Sequence, residues 1–199
     1  MKTCYIVGAG DIYSLPQPKK GDLLIAADGG YDHLISHGIA PNLLIGDLDS
    51  IREVPKEIEI IRYPVRKDET DTFLAFREGF ARGYREFKIY GGVGGRDDHT
   101  FANYSLLLYA RNQGARAVLH MKEGCAEALC NEDYTLLAPN GRYFSVFALG
   151  GEATVSISGA EYNVEGARLT PDFPLGVSNK AKEKRVEISV TSGAVLLFY

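Results

Sequence analysis

The chain contains no tryptophan, two methionines, four histidines and three cysteines among 199 residues. Three cysteines at irregular positions, Cys4, Cys125 and Cys130, make no disulfide framework, and no CxxC pair offers a zinc site. The thiols read as reduced residues of a cytoplasmic protein. No apolar run approaches the roughly 18–20 residues that cross a bilayer, so no membrane partner is expected. The opening MKTCYIVGAGDIYS has one lysine and too short an apolar stretch for a secretory signal. Basic residues are not in excess: 22 Lys and Arg against 26 Asp and Glu leave a net charge of −4. That balance argues against a nucleic-acid binder, which carries a basic stripe. There is no internal repeat and no low-complexity tract.

What is present is enough apolar residue, 45%, to build a core and enough charge, 24%, to cover it. The first 120 or so residues alternate short apolar runs with helical patterns. CYIVGAG, LLIAADGG, LLIGDLDS, IEIIRYP, EFKIYGG and AVLHMKE read as strands. YDHLISHG reads as a short helix stopped by Gly38, and HTFANYSLLLYARNQG as a helix closed by Gly114. In TDTFLAFREGFARGY, Phe73, Phe76 and Phe80 recur at the spacing of one helix face. Strands alternating with helices predict a mainly parallel, Rossmann-like sheet with flanking helices. After residue 124 the pattern changes to short β-rich segments broken by Gly, Pro, Asn and Asp, with alternation at Val155 and Ile157 and at Val186, Ile188 and Val190. This predicts a smaller all-β sandwich. GCAEALCNEDYT fits either a short helix or a strand and linker. The expected fold class is α/β, with domains at 1–124 and 125–199.

The chemistry concentrates at predicted strand ends, where open parallel sheets bind ligands. GAGD supplies Gly8, Gly10 and Asp11; ADGG supplies Asp28, Gly29 and Gly30. GDLDS supplies Asp47, Asp49 and Ser50. Two aspartates one residue apart repel unless a cation lies between them, and their hard oxygens suit magnesium together with phosphate. They fit equally an ordinary loop in which Asp49 or Ser50 caps a helix. KDETDT supplies Lys67, Asp68, Thr70 and Asp71. Asp68 and Asp71 share a face if both lie in a first helical turn, where acids also complement the helix dipole. Lys67 can hold a phosphate oxygen or neutralise its neighbours. GGVGGRDDH has four glycines in five positions, Gly91, Gly92, Gly94 and Gly95, open to an approaching phosphate, followed by Arg96, Asp97, Asp98 and His99. Arg96 suits phosphate oxygens, while Asp98 reads as a metal ligand, an N-cap or the partner that fixes Arg96. No GK[ST] follows, so this is not a Walker A loop, and Tyr13 stands where a dinucleotide fingerprint has its third glycine. His33, His37 and His120 read as ordinary polar or partly buried residues. Together the loops point to a magnesium–polyphosphate site and to phosphoryl or diphosphoryl transfer.

In order and spacing, ADGGYDHLISHGIAPNLLIGDLDSI, KDETDTFLAF and GGVGGRDDHTFANYSLL resemble the catalytic domain of the thiamine pyrophosphokinase family. GVSNKA followed by VEISVTSGAVLLFY resembles that family's thiamine-binding β-sandwich. The resemblance implies transfer of diphosphate from ATP to the hydroxyl of thiamine, with magnesium, in a homodimer whose thiamine site lies between subunits. It implies that Asp47, Asp49, Asp68 and Asp71 lie at the metal, and that Asp47, Asp49, Asp71, Arg96 and Asp98 serve the reaction. It implies nucleotide contacts at Asp28, Gly29, Gly30, Ser50, Lys67, Thr70, Gly94, Gly95 and Arg96. Ser178 and Asn179, with Asp98, would line the thiamine pocket. The chain departs from the family pattern at Asp97, often apolar, and at Lys180, often acidic; without tryptophan, any stacking on thiamine falls to Tyr or Phe. The rival expectations are a transferase using another alcohol, a non-catalytic nucleotide- or thiamine-binding module, and a phosphohydrolase built on the DxD pair.

Overall fold

The structure, a computed structural model, describes residues 2–48, 51, 58–64 and 68–199. The chain divides into two compact units, Met1–Leu106 with Gly114–Lys122 and Leu107–Gln113 with Glu123–Tyr199.

The first unit carries β1 (Thr3–Val7), β2 (Leu23–Ala27), α1 (Gly30–Ser36), β3 (Leu43–Gly46), β4 (Glu59–Arg62), α2 (Asp71–Ala81), β5 (Glu86–Tyr90), the start of α3 (Asp97–Asn112) and β6 (Arg116–Met121). Every residue of β2 and β3 is buried. Such uninterrupted apolar strands suit a parallel sheet covered on both faces. Ile6 of β1 stands level with Ile25 of β2 and Ile89 of β5, all parallel. β2 to β3, β3 to β4 and β5 to β6 are parallel as well. Helix α2 buries Thr72, Leu74, Ala75, Phe76 and Gly79, whereas Phe73 and Phe80 are only half-buried. The face expected at Phe73, Phe76 and Phe80 is therefore rotated. Gly79 explains the rotation, because a Cβ there would stand 2.7 Å from Cys4 Sγ and 2.8 Å from Phe87 Cε1. The glycine lets the helix close onto the sheet, with the Phe76 ring 4.5 Å from that of Phe87.

The second unit carries β7 (Gly124–Cys130), β8 (Asp133–Leu137), β9 (Tyr143–Ala148), β10 (Ala153–Ser158), β11 (Val164–Leu169), β12 (Asn179–Lys180), β13 (Arg185–Ser192) and β14 (Ala194–Phe198). A four-stranded antiparallel sheet runs β11-β10-β13-β8. Its alternating Val155, Ile157, Val186, Ile188 and Val190 are buried in one core with Leu129, Phe144, Val146, Val195 and Leu197.

The larger sheet has ten strands in the order β12-β9-β14-β7-β6-β5-β1-β2-β3-β4. It is mixed, since β12, β9, β14 and β7 pair antiparallel. The expected mainly parallel sheet is corrected on this point. β6 and β7 are separated by Lys122 and Glu123 alone; parallel strands need a crossover of a dozen or more residues, which two residues cannot provide. The ambiguous GCAEALCNEDYT is two strands, β7 and most of β8, with Ala126, Glu127, Ala128 and Leu129 buried. None of the three cysteines is in a disulfide. Among the described residues no helix is long and apolar enough to cross a membrane.

Candidate active site

The loops that leave β1, β2, β3 and β5 all start at the carboxyl ends of neighbouring parallel strands. The tightest join is between GAGD after β1 and GGVGG after β5. The Gly8 N–H donates to the Tyr90 carbonyl (2.8 Å), that of Gly10 to Gly91 (2.9 Å) and that of Asp11 to Val93 (2.8 Å), so the ladder between the strands continues into the loops. Glycine is required here by space. A Cβ on Gly10 would lie 2.3 Å from the Val93 oxygen, and one on Gly91 would lie 2.3 Å from the Gly8 oxygen. Gly94 has φ +82°, and a Cβ on it would meet Asp11 Oδ2 at 2.3 Å. Asp11 thus lies against the middle of the glycine loop, and its Oδ2 accepts from the Tyr13 hydroxyl at 2.9 Å. That bond raises the Tyr13 pKa, because ionising the phenol would set two anions together.

The next loops close on the same end of the sheet. Asp28, half-buried at φ +46°, donates its N–H to the Ile45 carbonyl at 2.7 Å. Gly30 opens α1 where a Cβ would fall 1.9 Å from the Val7 oxygen. Gly46 ends β3 with no room beside Asp28, whose Cβ would be 3.0 Å from an added Cβ. Asp47 follows, half-buried. Helix α2 brings its first turn to the same edge. Thr70 caps it, its Oγ1 accepting from the Phe73 N–H at 3.2 Å. Thr72 Oγ1 lies 3.3 Å from the place of a Cβ on Gly8.

Because Thr70 is the N-cap, Asp71 is the first helical residue and Asp68 precedes the helix. Asp68 and Asp71 therefore do not share a helical face, contrary to the expectation for KDETDT. The extended backbone that the cap requires, φ −73° and ψ 155° at Thr70, is what breaks the periodicity. Asp49, Ser50 and Lys67 lie outside the described residues. No group of three or more His, Cys, Asp or Glu among the described residues is placed to hold a metal ion.

Arg96 is engaged by Asp98, with Nη2 to Oδ2 at 2.6 Å and Nε to Oδ1 at 3.1 Å. Asp98 Oδ1 also accepts the His99 N–H at 3.0 Å. The guanidinium holds the Asp98 carboxyl below the usual carboxylate range, with the His99 N–H adding to the effect. Two of the five guanidinium N–H groups face Asp98, which fixes the plane of the group and leaves the others available.

In the second unit, Ser178 has φ +58° and is exposed, its N–H donating to Ser145 Oγ at 3.0 Å. Asn179 is buried and spends its side-chain amide on backbone. Oδ1 accepts from the N–H groups of Tyr162 (3.1 Å) and Lys180 (2.8 Å), and Nδ2 donates to the Tyr162 carbonyl (2.8 Å). Asn179 therefore anchors Tyr162, whose side chain stays largely exposed. Sequence reasoning quoted Asp11 in GAGD without giving it a role and did not single out Thr72, Asn103 or Tyr162. For Asp11 the available signal was its place at a strand end; Tyr162, seventeen positions before Asn179, carried no local mark.

The sequence matches the thiamin pyrophosphokinase catalytic domain over residues 18–119 and the thiamin pyrophosphokinase vitamin B1 binding domain over residues 131–195. The thiamine pyrophosphokinase of Bacillus subtilis (strain 168) is 26% identical over 209 residues, which cover 99% of this chain and 98% of that one. A crystal structure of thiamine pyrophosphokinase from Bacillus subtilis superposes with a TM-score of 0.87 at 24% identity, covering 98% of this chain and 97% of that one. Thiamin pyrophosphokinase from Candida albicans gives 0.81 at 12% identity, covering 98% and 88%. At such identities the two superpositions speak to the fold alone.

Proposed function

Because the chain belongs to the thiamine pyrophosphokinase family and is therefore a thiamine diphosphokinase, we propose that its strand-end loops hold ATP with magnesium and that its β-rich unit holds thiamine. In the reaction the thiamine hydroxyl oxygen attacks the β-phosphorus in line. The bond from that phosphorus to the α-phosphate oxygen breaks, AMP leaves, and the hydroxyl proton passes to a carboxylate. Such transfers are catalysed almost entirely by positioning and charge neutralisation.

The observation that carries this reading is the convergence of GAGD, ADGG, GDL and GGVGGRD at the carboxyl ends of adjacent parallel strands. The Gly91 and Val93 carbonyls are turned onto N–H groups of the β1 loop, which keeps acceptor dipoles from facing an incoming anion. Arg96, held in plane by Asp98, offers its remaining N–H groups to phosphate oxygens. Asp11, Asp28, Asp47 and Asp71 are described carboxylates on the segments that meet at this edge, and in the sequence Asp49 stands two residues after Asp47 and Asp68 three before Asp71. One or two of them suffice for magnesium, which takes its other ligands from phosphate and water. Magnesium, when bound, neutralises the developing phosphate charge. Asp71 at the start of α2 is the candidate to receive the hydroxyl proton.

For thiamine, the exposed ring of Tyr162 offers the aromatic face that a chain without tryptophan must find elsewhere. Ser178 lies just before the asparagine that anchors it. A homodimer with thiamine bound at the subunit interface completes the reading.

The test is single replacement of Asp47 and Asp71 by Asn in the full chain. A folded variant is expected to lose roughly 100-fold or more in kcat/KM, the usual scale for a transition-state charge contact. Turnover near wild type in both variants overturns the acidic site.

A further inference from the structure

Asn103 lies in α3, two turns past the glycine loop, and belongs to none of the groups assigned above. It is 4% exposed. Its Nδ2 donates to the Gly92 carbonyl at 2.7 Å, a buried bond linking residues eleven apart in sequence. Its Oδ1 is buried and has no hydrogen-bond partner among the described residues. A buried amide with one end unsatisfied costs stability. A residue kept for packing alone would be better served by leucine.

The bond closes a pattern in the loop. The carbonyl of Gly91 accepts from Gly10, that of Gly92 from Asn103, and that of Val93 from Asp11. Three consecutive carbonyls are therefore held by donors from three places: two on the β1 loop and one on α3. Leu119 and Ile89 close in on Gly92, where an added Cβ would stand 2.6 Å from Leu119 Cδ1 and 3.1 Å from Ile89 Cγ2. Of the three donors only Asn103 is a side chain, so only this one can be removed without altering the backbone.

We propose that Asn103 is a positioning residue for the nucleotide's phosphates: it holds the Gly92 carbonyl away from the ligand side and so fixes the conformation in which the glycine loop receives them. The inference rests on the reading of that loop as the phosphate site. It acts on ATP and not on thiamine, because the bond touches only the glycine loop.

The test is Asn103→Leu in the full chain, with three readouts: calorimetric binding of magnesium-ATP without thiamine, steady-state KM for each substrate, and the melting temperature. Loss of a positioning bond is expected to weaken ATP binding and raise its KM by roughly 10-fold. The KM for thiamine should stay within about twofold. The melting temperature should stay within about 4 °C, because the exchange removes an unsatisfied oxygen as well as a donor. Unchanged ATP binding in a folded variant overturns the proposal. So does an equal loss for both substrates together with a lower melting temperature, which marks a structural role. If Asn103→Leu does not fold, Asn103→Ala is read by the same criteria; if neither folds, Asn103 is a folding residue and the proposal fails. If the wild-type chain binds magnesium-ATP but releases no AMP with thiamine, the reading of the reaction fails while calorimetry still decides the role of Asn103.

Discussion

Glu127 is a carboxylate at 1% exposure in β7, and it stands because two phenols point at it. The Tyr134 and Tyr199 hydroxyls each donate to its Oε1 at 2.8 Å. Burial and the nearby Glu127 carboxylate push the Tyr199 pKa up, so that phenol stays a donor across the accessible range. Replacing Tyr199 by Phe removes one hydrogen bond to a buried carboxyl group and should cost about 1–3 kcal/mol in urea unfolding; no measurable loss would show that the group is satisfied without it. Gly10 makes the same kind of case at the site. Gly10→Ala drives a Cβ against two loop carbonyls. It should destabilise by about 1–3 kcal/mol and impair activity further than that loss explains. Neither residue was fully legible in the sequence. Gly10 was visible in GAGD, but its partner loop lies more than eighty positions away. Glu127 sits in a segment whose secondary structure was ambiguous, and nothing local marks a glutamate as buried.

At the scale of elements, the strands of the first unit were readable because β1, β2, β3 and β5 are short apolar runs closed by glycine. α2 was readable as a helix but not as to its face, since Gly79 carries no hydrophobic signal and yet sets how the helix seats. The N-terminus of α2 shows how local chemistry overrides spacing. Thr70→Ala removes the cap on the Phe73 N–H and should cost about 1 kcal/mol, with Thr70→Ser recovering most of it. Chemical denaturation of the two variants checks this. Equal stability of all three proteins would mean the cap is idle. β7 and β8 were not resolved in advance because their turn, Asn131 at φ +46° with Glu132, lacks glycine and proline.

At the scale of the whole molecule, the two patterns in the sequence correspond to different sheet grammars, parallel in the first unit and antiparallel in the second. The change from one to the other is not legible in periodicity, because only Lys122 and Glu123 separate β6 from β7. Global stability should also respond to pH through His120. Burial, with Lys88 adding to it, lowers the His120 pKa to about 4, and its ring stacks on Tyr90 at 4.3 Å. The unfolded chain takes up this proton from about pH 6.5 downward while the native state refuses it until about pH 4. Stability should therefore fall as pH drops through that window. His120→Phe keeps a ring against Tyr90 and should flatten that part of the profile; an unchanged slope in the variant would assign the effect to other groups.

The central claim is that the strand-end loops deliver the diphosphate of ATP to thiamine. The most direct measurement incubates the purified chain with ATP and magnesium, with and without thiamine, and resolves every nucleotide and thiamine product. The account predicts AMP and thiamine diphosphate in equal amounts, and AMP only when thiamine is present. Inorganic phosphate released from ATP without an acceptor, or ATP bound with no AMP formed, would contradict it.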